Sequence, residues 1–134
     1  MTKHALGLDL LVVIVFAALG RASHDLELGV MGVLATAWPF VFGTAVGWLC
    51  LLRLPQGVRR WWLDGVVVAF CAIVLGMVLR WLTGEGTATA FVLVATGVLL
   101  GGLLGWRAVE TLVIRPRAVT AQPARTTRSA RTTR

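Results

Sequence analysis

LGVMGVLATAWPFVFGTAVGWLCLL, residues 28–52, contains no charged side chain. A helix through this stretch rises roughly 37 Å at 1.5 Å per residue. That exceeds the ~30 Å hydrocarbon core of a bilayer and allows some tilt. Ala35, Pro39, Gly43 and Gly47 recur at every fourth position. They form a slowly drifting stripe of small side chains that lets a second helix approach closely. Pro39 has no amide hydrogen, so the Ala35 carbonyl loses its usual donor and the helix is expected to bend near mid-depth. Thr36 or a neighbouring helix is the expected replacement donor.

Composition extends this reading to the whole chain. Its 134 residues are 57% hydrophobic, too apolar and too uninterrupted for a soluble domain of this size. One all-α membrane bundle is expected over residues 1–114, with spans at about 5–22, 28–52, 61–82 and 88–108. The helix of the last span is expected to run on toward Ile114. A disordered, basic, cytoplasmic tail is expected over 115–134, where Ala-Arg-Thr-Thr-Arg occurs twice and no apolar periodicity offsets the entropy of ordering. The first apolar segment is short and carries Asp9; a cleaved signal peptide is the competing reading, against which Asp9 and Arg21 both speak.

The net charge of +7 raises nucleic acid as a partner, but seven of the thirteen basic residues lie from Arg107 onward, beside a span. Anionic lipid headgroups explain that placement, and no nucleic-acid motif accompanies it. Loop charges set the orientation. With both termini cytoplasmic, Lys3, Arg53, Arg59, Arg60 and the seven arginines from Arg107 lie inside, and only Arg21 and Arg80 lie outside. The plasma membrane is the expected location.

GRASHD (20–25), TAWPF (36–40), GW (47–48), GMVLRWLTGEGTATAFVLVAT (76–96) and LGWR (104–107) together resemble the prokaryotic membrane family called domain of unknown function 3054. The likeness runs to about residue 114 and leaves out the tail. Arg21, His24, Trp38, Pro39, Arg80, Gly86, Thr87, Trp106 and Arg107 match its pattern. The resemblance implies a multi-pass protein of about four helices and no particular activity.

Several residues are candidates for more than packing. Arg21, His24 and Asp25 fall at the outer end with Arg80, Glu85 and Thr87. An arginine within a span costs a few kcal/mol unless paired or hydrated, which makes Arg80 a functional candidate. A polar vestibule that binds an anion or passes a proton through His24 is one reading. An Arg80 pair with Glu85 or Asp25 that merely staples loops is the plainer one. Asp9 is a lone acid in the first span, either a proton-coupling group or a charge neutralised by Arg107 or Lys3. Trp38 and Pro39 could make a hinge for alternating access, against a static kink.

Gly97, Gly101 and Gly105 repeat the four-residue spacing of Gly43 and Gly47, so all five are expected in close helix contacts. A span of the same chain is the simplest partner for the last three, and a second copy the other. Asp64 suits the positive end of its helix. Cys50 and Cys71 read as small apolar packing residues, with no disulfide and no metal site. No metal, cofactor or enzyme is expected, since no catalytic spacing, nucleophile elbow or phosphate loop is present. A small-solute or ion transporter, or a channel, heads the functional readings. A structural or accessory protein that packs against a membrane partner or lipid is the alternative.

Overall fold

A computed structural model of the chain describes residues 4–22 and 29–114, with no account of the side chains of Val113 and Ile114. Four helices follow in order: α1 Ala5–Ala22, α2 Val30–Arg53, α3 Trp61–Leu82 and α4 Thr89–Val109. A π-helical turn, Glu110–Ile114, extends α4. All four helices are long and apolar enough to cross a membrane, which makes this a multi-pass membrane protein. His24, Asp25, Lys3 and the basic tail lie outside the described residues.

The helices form a ring. α1 packs against α2 and α4, and α3 packs against the same two. The starts of α1 and α3 and the ends of α2 and α4 therefore share one end, which carries the Arg53–Arg60 loop and is here called the basic end. The core repeats at helical spacing: Val13, Phe16 and Ala17 on α1, Ala37 and Phe40 on α2, Val68, Ala69 and Ala72 on α3, and Ala95, Leu99 and Leu103 on α4. Leucines, valines and tryptophans on the outer faces stay open within the chain, where lipid rather than water is the solvent.

The α2–α3 seam is where the small residues of 28–52 act. A Cβ added at Gly43 would stand 2.6 Å from the Cys71 carbonyl oxygen and 2.7 Å from the Ala72 Cα. One added at Gly47 would stand 2.8 Å from the Val68 Cα. α2 runs unbroken through the buried Pro39. Thr36 Oγ1 donates to the Gly32 carbonyl at 3.1 Å, not to the carbonyl of Ala35 that Pro39 frees. Thr36 is therefore not the replacement donor for Ala35: its ordinary back-bond to the residue four earlier wins.

The glycines of α4 behave differently. A Cβ at Gly97, Gly101 or Gly105 would meet nothing within 4 Å, so these three do not seat another helix of the chain. The buried face of α4 is Ala95, Leu99, Leu103 and Arg107. Gly97, Gly101 and Gly105 are each two residues further on, about 200° around the helix at 100° per residue, and face away. Gly102 makes the close contact instead, against the Val12 side chain.

Candidate functional site

At the end opposite the basic loop, α1, α2 and the α3–α4 turn enclose a cavity of about 440 Å³. Phe16, Ala17, Arg21, Ala35, Arg80, Glu85 and Phe91 are among its walls. The local sequence sets the geometry. Gly84 and Gly86 both adopt left-handed φ, 74° and 76°, which a side chain disfavours. They turn the chain so that Glu85 folds back over the last turn of α3. Its Oε2 accepts from Arg80 Nη1 at 2.7 Å, and its backbone carbonyl accepts from Nη2 at 3.4 Å. The Arg80 guanidinium also lies 4.4 Å from the centre of the Phe91 ring. Its Nε is buried and has no partner among the described residues.

Arg21 reaches the same cavity from α1, its guanidinium against the backbone of Gly32 on α2. Among the described residues, Arg21, Arg80 and Glu85 are the charged members of a lining that is otherwise largely apolar. Of the six residues of the expected outer cluster, Arg21, Arg80 and Glu85 meet here, joined by Gly86. Thr87 is not part of the lining. Ala35, whose carbonyl Pro39 leaves without a helical donor, is, and a cavity wall is where such backbone is tolerated. Of the candidate hinge, Pro39 is buried and Trp38 faces outward.

Below the cavity the bundle is filled. Phe16 meets Phe40 edge-on with ring centres 5.2 Å apart, and Phe91 lies 6.0 and 6.3 Å from the two. Such contacts are worth about 0.5–1.5 kcal/mol each beyond their buried area.

Toward the basic end lies a charged knot. Asp9 is completely buried and accepts four hydrogen bonds from side chains of two other helices. Arg107 grips it from both sides, Nη1 to Oδ1 at 2.7 Å and Nη2 to Oδ2 at 2.6 Å. Trp106 Nε1 donates to Oδ1 at 2.9 Å and Trp48 Nε1 to Oδ2 at 2.8 Å. Arg107 also caps the Leu103 carbonyl at 2.8 Å. α1, α2 and α4 are thereby tied at one point. A carboxylate with this many donors and a forked guanidinium is a satisfied buried charge. Asp9 and Arg107 are separated by 98 residues, and although Trp48 and Trp106 fall in the GW and LGWR segments, nothing in the sequence ties either to Asp9.

Asp64 has a second role besides its place in the first turn of α3. Its two oxygens accept from Nε and Nη2 of Arg59 at 3.2 and 2.7 Å. Among the described residues no group of three or more His, Cys, Asp or Glu is placed to hold a metal ion.

Among known families, the one described as protein of unknown function (DUF3054) has a model that matches residues 6–110. No curated protein and no solved structure matches the chain.

Proposed function

The chain belongs to the DUF3054 family, and since that description carries no activity we propose a function from the geometry: a small plasma-membrane carrier that takes up an amphipathic organic anion through its outer cavity. One observation carries the reading. Arg21 and Arg80 stand over walls formed by Phe16, Ala17 and Phe91 in a cavity of about 440 Å³. That is within the ~300–1,000 Å³ of small-molecule sites, which are mostly apolar with a few placed polar groups. The three phenylalanines and the Asp9–Arg107 knot separate the cavity from the basic end, which favours a carrier over an open channel.

In this reading both termini are cytoplasmic and the basic tail holds anionic headgroups of the inner leaflet. The ligand is moved, not chemically changed. Arg80 exchanges Glu85 for the ligand's carboxylate, and its buried Nε gains an acceptor. The test is uptake of radiolabelled benzoate and octanoate by proteoliposomes. Saturable uptake is expected, reduced at least roughly tenfold by Arg80→Gln, the worth of one charge-assisted hydrogen bond. Uptake no faster than in empty liposomes, for both acids, rejects the carrier.

A second reading has its own observation. Gly97 and Gly101 leave a flat, open strip on α4. In an accessory protein that strip seats a helix of a membrane partner. Cross-linking from Gly101→Cys in cells that recovers only this chain counts against it.

A further inference from the structure

A second cavity, of about 210 Å³, opens at the basic end between all four helices. Three guanidinium groups line it, those of Arg59, Arg60 and Arg107, with the indoles of Trp48, Trp61 and Trp106 and the amide of Gln56. We propose that this cavity binds a phosphate group, carried by a phospholipid headgroup or by a small soluble phosphate ester.

The donors make the case. The Arg59 side chain is only 7% exposed and that of Arg107 6%, and each is fixed by its own carboxylate, Asp64 or Asp9. These two shape the cavity and leave it near neutral. Arg60 differs: it is exposed and makes no ion pair among the described residues. Arg59 spends Nε and Nη2 on Asp64, which leaves Nη1 hydrogens directed elsewhere. Gln56 adds a further amide. The acids of the lining are Asp64, already paired, and Glu110, also engaged. Arg60, the Nη1 of Arg59 and the Gln56 amide are the donors left to meet an acceptor-rich anion.

Depth and size narrow the anion. Tryptophans gather at the level of lipid headgroups, and three of them line this cavity. Headgroup phosphates stand at that level. At ~30 Å³ per water, the volume holds about seven waters, enough for a phosphate with a glycerol-sized substituent and too small for an acyl chain.

The experiment titrates the full-length protein in detergent and reads tryptophan fluorescence. The probes are short-chain phosphatidylglycerol, glycerol 1-phosphate and inorganic phosphate, with sodium chloride at matched ionic strength as the blank. Wild type is expected to give a saturable change. Arg60→Gln should weaken it roughly tenfold, by the loss of one charge-assisted hydrogen bond. Arg53→Gln, which removes the same charge at the end of α2 outside the lining, should change it less than about twofold at this ionic strength. Gln56→Glu, which leaves every arginine in place, should weaken it as well. A response to phosphatidylglycerol alone supports the site and identifies the source as lipid; a response to all three probes supports it with a soluble ester as the source. Equal weakening by Arg60→Gln and Arg53→Gln, or no saturable change with any probe, overturns it.

Discussion

Replacing Asp9 by Asn removes one charge and should loosen three helices at once. The carboxamide keeps the shape of the side chain but presents one oxygen and one NH₂ to four donors. The NH₂ would face Arg107 Nη2 and Trp48 Nε1, or Arg107 Nη1 and Trp106 Nε1, donor against donor. Arg107, 5% exposed as a whole residue, is then left without its counter-charge. Breaking a buried ion pair from one side costs about 3–5 kcal/mol. The lower end applies, because Arg107 lies in the last turn of α4 and can reach toward the interface. The assay is unfolding in mixed micelles, followed by tryptophan fluorescence, as a double-mutant cycle. Asp9→Asn and Arg107→Gln should each cost about 3 kcal/mol, and the double variant should cost at least about 2 kcal/mol less than their sum. A cost of Asp9→Asn under about 1 kcal/mol, the range of an exposed pair, or additive single effects, refutes the knot.

The glycines give a contrast within one chain. Gly43→Ala should destabilise by about 1–3 kcal/mol through overpacking, since the new methyl meets the backbone of Cys71 and Ala72; Gly101→Ala, whose new methyl meets nothing within 4 Å, should not destabilise and gains up to about 1 kcal/mol of helix propensity. Equal effects would reject the assigned α4 register. Cys71 packs against Gly43 and Gly47 at the α2–α3 seam, and Cys50 lies one helical turn beyond Gly47 on α2. Copper-phenanthroline should therefore join them, a change visible as a chain that holds together after proteolytic nicking of the 54–60 loop. Free thiols after full oxidation would place the two helices in another register.

The spans were legible because apolar length and interfacial tryptophans are properties of single segments. Gly43 and Gly47 were legible for the same reason, as they share a face with Ala35 and Pro39. Gly97, Gly101 and Gly105 have the same spacing yet face away from the bundle. Spacing states that residues share a face, not which way the face points. Glu85 was within reach of Arg80 in any tight turn, and the two flanking glycines fixed it there. The Asp9 knot was legible only in part: charge balance suggested Arg107, but its two indole donors depend on the relative register of α1, α2 and α4. The cavity at the basic end is not legible in the sequence. Arg59, Arg60 and Asp64 read locally as a charged loop and a helix start, and only the bundle places Trp48 and Trp106 beside them.

The central claim is a bundle open to water at the Arg21–Arg80 end and closed below the phenylalanines. Cysteine accessibility in intact cells tests it most directly, in a chain with Cys50 and Cys71 changed to Ser. Thr36→Cys, in the cavity wall, should react with a membrane-impermeant maleimide added outside, while Ala95→Cys, fully buried below, should not. Reaction at Ala95→Cys, or none at Thr36→Cys until the membrane is breached, would contradict it.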